Sequence, residues 1–139
     1  MSSSRKQERR ARQVQVDAPR TLREKQSLFA YLVARLIQHA VGMGYEVTLG
    51  EAWRSPEEAA RLAKLKKGIV NSLHCDKLAI DLNLFKARRY LTSSEAHRPL
   101  GEWWEQQHQL CRWGGRFLDE EGRPAPDGNH YSLEHQGRR

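Results

Sequence analysis

The stretch that decides the fold runs Ser72-Leu73-His74-Cys75-Asp76-Lys77-Leu78-Ala79-Ile80-Asp81-Leu82-Asn83-Leu84-Phe85. From Leu78 onward large apolar residues occupy every second position, which is the period of a β-strand with one buried face. Asp81 lies within this apolar run, where an ionised carboxylate needs a partner. His74 lies at the expected entrance to the strand, so a turn there would bring the two side chains together. One imidazole nitrogen and one carboxylate oxygen suit zinc.

A third ligand is available in the C-terminal stretch Asp127-Gly128-Asn129-His130. Its first three residues are typical of a turn, and His130 begins the strand that we expect next. His74, Asp81 and His130 would leave a fourth zinc position for water, which is the pattern of catalytic sites. We expect Asp127 to lie beside that water as a general base.

Two alternatives to this ligand set stay open. Cys75 follows His74 and could bind metal, but adjacent strand residues point to opposite faces, which favours a free, buried thiol. Glu134 and His135 are a second acid and histidine in the same stretch, although immediate neighbours make poor geometry for one site. Strand alternation places His130 and His135 on opposite faces, so at most one of them should face the metal.

Composition limits the kinds of partner. The chain has 139 residues, a formal net charge of +7 and a pI near 9.8. This excess suits an anionic partner, which includes a cell-envelope polymer, a membrane surface or nucleic acid. The sequence contains no recognisable nucleic-acid-binding motif, so we expect no specific nucleic-acid partner. It also has no apolar run long enough to insert into a membrane.

The chain divides into a tail and one domain. Residues 1–20 are basic with almost no apolar residues, which predicts a flexible tail and is unlike a secretory signal. We therefore expect synthesis in the cytoplasm without a signal peptide. Residues 21–139 have the length of a single domain with one core, and we expect a monomer.

Capping and periodicity predict the remaining elements. Thr21 and Glu24 form a capping box, and the apolar residues behind them recur at helical spacing. His97 and His108 are interpreted as surface or helix-face histidines. The expected elements are a helix of about 20 residues ended by Gly42 and Gly44, a strand over Tyr45–Leu49, a helix capped by Ser55 that runs to about Lys67 and stops at Gly68, and a helix from about Ser94 to Cys111.

Three motifs in order resemble those of the zinc peptidoglycan peptidases: Ser72-x-His74-x(6)-Asp81, then Trp113-Gly114-Gly115, then Asp127-x-x-His130. That family includes the VanY/VanX-type D-alanyl-D-alanine carboxypeptidases and the phage endolysins that cut the L-alanyl-D-glutamate bond. The endolysin branch is the more similar one. The resemblance covers roughly residues 28 to 135. Each motif alone is weak, and their order and spacing make the set fairly specific.

The resemblance implies roles for individual residues. His74, Asp81 and His130 are expected to bind Zn²⁺, with Asp127 as the catalytic base. Glu134, with His135 as the ligand, is the alternative base, because enzymes of the family often use a glutamate close before the last histidine. Arg54 is similar to the arginine that steadies the substrate or the developing oxyanion. By the same resemblance Ser72 and Trp113 are expected to line the substrate site. The implied fold is α+β, with a small, mainly antiparallel sheet that carries the zinc site and packs against helices.

The function implied is zinc-dependent hydrolysis of an amide bond in bacterial peptidoglycan, as an L-alanyl-D-glutamate endopeptidase of a phage endolysin. Such an enzyme acts on the cell wall after release from the cytoplasm. D-alanyl-D-alanine carboxypeptidase activity and a non-catalytic zinc-binding module of the same fold are the alternatives. The chain departs from the family at Lys77, where the family usually has glycine, so the turn between His74 and Asp81 needs an explanation.

Overall fold

The computed structural model describes residues 18–65 and 72–139. Three short 3₁₀ turns, at Leu73–Asp76, Glu95–His97 and Gly114–Arg116, connect the helices and strands. The helices and strands in chain order are α1 (Leu22–Gly42), β1 (Glu46–Leu49), α2 (Pro56–Lys64), β2 (Ala79–Lys86), β3 (Arg89–Tyr90), α3 (Arg98–Glu105), β4 (Cys111–Trp113) and β5 (His130–Leu133).

Strand β2 is the centre of an antiparallel sheet in the order β1-β2-β5-β4. Its second half pairs with β1, and its first half, Ala79 to Asp81, pairs with β5. The short β3 pairs with the end of β2. In this register Asp81 lies directly opposite His130. The predicted α+β class with a small antiparallel sheet packed on helices is confirmed.

The core lies between this sheet and helices α1 and α3. Leu82 and Leu84 of β2 are fully buried, as the alternation predicted, and they share the core with Leu32 and Leu36 of α1 and Trp104 of α3. Asp81, which alternates with them, is only partly buried. One face of β2 therefore builds the core and leaves the other face for the polar side chains.

The N-terminal boundary of α1 follows the predicted capping box. The Thr21 hydroxyl accepts a hydrogen bond from the Glu24 backbone N–H at 3.1 Å. In the second helix, Ser55 accepts from the Glu58 backbone N–H in the same way. The predicted end of that helix at Lys67 and Gly68 lies outside the described residues, as does most of the predicted tail. The division into a tail and one domain stays a prediction.

Two predictions in the third helical region are wrong. The helix ends at Glu105, and Cys111 belongs to β4, where it pairs with Leu133. The reason is tertiary: the Trp104 indole N–H donates to the backbone oxygens of Arg112 in β4 and Ser132 in β5, so the segment after α3 is recruited into the sheet. His97 is only 2% exposed rather than on the surface.

None of the helices in the described part of the chain is both long and apolar enough to span a membrane.

Candidate metal centre

His74 is presented by the 3₁₀ turn Leu73–Asp76. Ser72 caps this turn, because its hydroxyl accepts a hydrogen bond from the His74 backbone N–H at 3.2 Å. Lys77 then closes the turn in the left-handed region, with φ 58° and ψ 37°. This conformation explains why glycine suits the position, since only glycine adopts it without steric cost. The turn leaves the His74 side chain buried at the start of β2.

His74, Asp81 and His130 converge on one point. The Asp81 Oδ1 atom lies 3.4 Å from His74 Nε2 and 3.5 Å from His130 Nδ1. A tetrahedral zinc ion with bonds of about 2.1 Å separates its ligand atoms by about 3.4 Å. The donor set of two imidazole nitrogens and one carboxylate oxygen, with all three atoms within 4.8 Å of one another, therefore fits zinc. Within residues 18–65 and 72–139, these three form the only such group.

The buried polar atoms of this group lack partners among the described residues. Asp81 Oδ1, His74 Nδ1 and His130 Nε2 are buried and make no hydrogen bond. Unpaired buried polar atoms are costly, so each implies an interaction still to be made. Burial alone would raise the pKa of Asp81, but the two adjacent imidazoles outweigh it and lower that pKa from 3.8 to about 2. Asp81 is thus kept ionised, as a metal ligand must be.

A tightly held turn carries Asp127 to this group. The Asp127 backbone N–H donates to the Gly114 carbonyl at 2.8 Å, and the Trp113 indole N–H donates to the Gly128 carbonyl at 2.7 Å. From the other side the Gly128 N–H donates to the Ser94 hydroxyl at 2.9 Å. A Cβ atom at Gly114 would lie 2.0 Å from the Asp127 carbonyl oxygen, so glycine is required for this approach.

Burial and the surrounding charged groups of the site together shift the pKa of the Asp127 carboxyl group. Partial desolvation raises its pKa above the ordinary value, the His130 side chain acts in the opposite direction, and the Asp81 charge raises it further. His74 and Arg54 also lower it. A carboxylate with a raised pKa is a better proton acceptor than one in bulk water, which is the property a general base needs.

Arg54 and Glu51 lie in the loop between β1 and α2. The Arg54 Nε atom donates to Glu51 Oε1, and the Arg54 backbone N–H donates to the His74 carbonyl at 3.2 Å. The Arg54 side chain is 11% exposed. The structure therefore brings this predicted residue to the same region as the three candidate ligands and Asp127.

A cavity of about 220 Å³ opens beside Asp127. Its walls come from the segment after β3 and from the turn before β5. Among the described residues that line it, the titratable side chains are Asp127, His97 and the Tyr90 phenol. Polar lining includes Thr92, Ser93 and Asn129. The cavity can therefore form hydrogen bonds with a bound peptide chain, and neither lysine nor arginine is among the described residues that line it.

The predicted substrate residues Ser72 and Trp113 occupy supporting positions. Both are at most 5% exposed. Ser72 holds the turn of His74, and Trp113 lies between Arg98 and Arg116 while its indole supports the Asp127 turn. Both residues therefore support the backbone segments that carry His74 and Asp127.

The alternative ligands lie elsewhere. The Cys75 thiol points to the Ser55 carbonyl at 4.0 Å and is not part of the three-residue group. Glu134 is paired with Arg112, and the His135 ring contacts the Lys25 ammonium at 3.1 Å. The geometry therefore favours Asp127 with His130.

Three neighbours of the site were not anticipated. Glu51 lies three residues before Arg54 in a loop, and its sequence position gave no sign that it lies near His74. Phe117 packs its ring against His130, with centroids 5.1 Å apart. Ser94, which holds Gly128 across 34 residues of sequence, carries no local signal at all.

Comparison with known proteins gives the fold. No protein-family profile matches the chain, and no curated protein sequence matches it. Among solved structures, it is similar to the Serratia marcescens L-Ala D-Glu endopeptidase ChiX, with a TM-score of 0.59 and 18% sequence identity. The match covers 76% of this chain and 79% of that protein. The chain thus shares the fold of this L-Ala D-Glu endopeptidase.

Proposed function

We propose that this protein is a zinc-dependent peptidase that hydrolyses an amide bond in bacterial peptidoglycan stem peptides, and that this bond is the one between L-alanine and D-glutamate. The observation that carries the proposal is the convergence of His74, Asp81 and His130 at the spacing of zinc ligands. Asp127 adjoins this group, since its carbonyl accepts from the His130 backbone N–H and its carboxyl interacts electrostatically with all three. The fold shared with an L-Ala D-Glu endopeptidase supports the choice of substrate.

Each residue has a distinct task in this proposal. Bound at His74, Asp81 and His130, zinc would polarise the scissile carbonyl and acidify water. Asp127 takes a proton from the attacking water and delivers it to the leaving amine. Arg54 stabilises the negative oxygen that develops on the carbonyl.

The cavity beside Asp127 is proposed to hold the substrate chain. Its hydroxyl and amide groups can bind a peptide backbone in the orientation that the reaction needs. The net charge of +7 favours approach to an anionic cell wall. We further propose that the protein acts as a monomeric phage endolysin that reaches the wall after release from the cytoplasm; this rests on the resemblance of its motifs.

The test is digestion of purified peptidoglycan by the zinc-loaded protein, with mass analysis of the new chain ends. An Asp127→Ala variant and a chelator-treated sample serve as controls. We expect new N-terminal D-glutamate with the wild type only, and a loss of at least a hundredfold in rate for the variant, since a positioned general base contributes ~10²–10⁴. The variant should still bind zinc, because Asp127 is not a ligand.

Other outcomes would redirect the proposal. Release of free D-alanine would assign the protein to the carboxypeptidases. Zinc binding without any cleavage, in the wild type as in the variant, would favour a non-catalytic zinc module. Cleavage that persists at the wild-type rate in Asp127→Ala would remove the base from its role.

A further inference from the structure

We propose that Glu51 is a positioning residue that orients His74 for metal binding and holds Arg54 beside it. The inference rests on the proposed zinc site and adds a residue that neither the motifs nor the predicted ligand set contain. Glu51 lies in the loop after β1, one-third exposed at its side chain. One of its carboxylate oxygens is directed toward both partners.

The first step concerns the far nitrogen of His74. Because Nε2 is the atom that faces Asp81, metal binding there requires the proton of the neutral ring to be on Nδ1. This Nδ1 atom is buried and has no hydrogen-bond partner among the described residues. A buried N–H without an acceptor is unfavourable, so the bound state needs an acceptor within reach.

Glu51 Oε1 is such an acceptor. It lies 3.9 Å from His74 Nδ1, so a shift of about 1 Å would form a hydrogen bond. Metal-bound histidines usually donate their second N–H to a carboxylate or carbonyl, which fixes the ring orientation and makes the ring a better ligand. The charge of Glu51 would also stabilise a positively charged metal site.

The backbone of Glu51 is already attached to the site. Its carbonyl accepts a hydrogen bond from the Asp81 N–H at 2.9 Å, and the Gly50 N–H donates to the Asp81 carbonyl at 2.8 Å. The loop therefore continues the pairing of β1 with β2 past the end of the strand. Glu51 is held at the level of Asp81, which keeps its carboxylate 3.9 Å from His74 Nδ1.

Arg54 is the second partner of the same carboxylate oxygen. Its Nε atom donates to Oε1, and its own backbone is bound to the His74 carbonyl. Glu51 thus forms the link between a candidate ligand and the residue proposed to stabilise the oxyanion. Removing its side chain would release both at once.

The experiment measures zinc affinity by competition with a chromogenic chelator for wild type, Glu51→Ala and Glu51→Gln. Glu58→Gln is the matched control, since Glu58 forms an exposed pair with Arg61 at the same three-residue spacing. We expect Glu51→Ala to bind zinc ~10–100-fold more weakly, the effect typical of lost outer partners. Glu51→Gln keeps an acceptor and should lie between, while Glu58→Gln should match the wild type.

Thermal melting of the metal-free proteins separates positioning from folding. The inference is supported when zinc affinity falls in Glu51→Ala although its metal-free form melts as a folded protein. Wild-type zinc affinity in folded Glu51→Ala, or a loss equal to that of Glu58→Gln, would overturn it and leave the proposed function intact. Failure of the wild type itself to bind zinc would instead overturn the proposed function and this inference together.

Discussion

The two halves of the candidate site are built in different ways. Residues 72–81 form a single turn-and-strand unit, in which Ser72 caps the turn and Asp81 follows within the same stretch. The Asp127 turn instead depends on Trp113, Gly114 and Ser94, which come from distant parts of the chain. The first half therefore depends on local conformation, whereas the second half depends on packing.

The two histidines show the same contrast. His74 has a carboxylate, that of Glu51, near its far nitrogen. His130 has the ring of Phe117 against it, and its Nε2 atom has no partner among the described residues. The backbone of the first ligand is held by the Ser72 hydroxyl, whereas the ring of the second is confined by aromatic packing. Substitutions should accordingly affect the halves unequally, and the packed half should be the more sensitive.

Gly114→Ala tests the packed half and has the largest expected effect. The new methyl group would lie 2.0 Å from the Asp127 carbonyl oxygen and 2.8 Å from His130 Cβ, so the turn must move. A misplacement of about 1 Å in catalytic geometry can cost ~10²-fold in rate. We expect peptidoglycan cleavage to fall at least a hundredfold, or about 2.7 kcal/mol in activation free energy.

The matched control is Gly42→Ala at the end of α1, where an added Cβ meets no atom within 4 Å. Its cleavage rate should equal that of the wild type. Circular dichroism and melting identify whether Gly114→Ala is folded. A folded Gly114→Ala protein with wild-type activity would show that the Asp127 turn tolerates movement, and the contrast between the halves would be lost.

His97 provides a pH test of the same packed half. The imidazole is buried, and its Nδ1 atom lies 2.8 Å from the hydroxyl of Tyr131, the residue after His130. Burial lowers the pKa of His97 from 6.5 to about 4. Between these values the unfolded chain binds a proton that the folded chain does not, so the free energy of unfolding falls as the pH drops from about 6.5 to about 4.

The expected loss of unfolding free energy attributable to His97 is roughly 2 kcal/mol. This is less than the whole pKa shift would give, because pH 4.5 lies above the folded-state pKa. Urea unfolding of metal-free wild type and His97→Gln at pH 7 and at pH 4.5 measures it. The glutamine can still contact Tyr131 but does not titrate. Between pH 7 and pH 4.5 the unfolding free energy should therefore fall less in His97→Gln than in the wild type. Parallel pH dependences in both proteins would show that His97 does not sense the pH, although Asp127 in the same cavity titrates in both.

The local half was predictable because its signals are local. Alternation around Asp81 indicated the strand and its buried face, and the spacing from His74 indicated the convergence. The α+β class was implied by the resemblance of the motifs, whereas capping and periodicity indicated individual helices and strands. The third helix was predicted too long because the indole of Trp104, which draws the next segment into the sheet, acts through contacts that no local pattern contains.

The packed half was predictable only in part. The motif Trp113-Gly114-Gly115 indicated that this segment belongs to the site, and the structure shows Gly114 close to Asp127. Which segment approached it could not be read from spacing, and neither could the contact of Ser94 or the proximity of Glu51 to His74. These depend on the register of β2 with β1 and β5, which is set by the whole core.

Lys77→Gly tests the local half and has the smallest expected effect. Lys77 closes the turn between His74 and Asp81 with φ 58°, a conformation that costs a residue with a Cβ atom ~1–2 kcal/mol. Glycine removes this cost but has more freedom in the unfolded chain, so we expect a net gain of about 0.5–1 kcal/mol in unfolding free energy. Lys77→Ala keeps the Cβ and should gain no stability, which separates backbone strain from loss of the exposed lysine side chain.

Because the turn already holds His74 in place, zinc affinity should stay the same in both variants. An equal gain in Lys77→Ala would assign the effect to charge, and a weaker zinc site in Lys77→Gly would show that the local half, too, depends on a rigid turn.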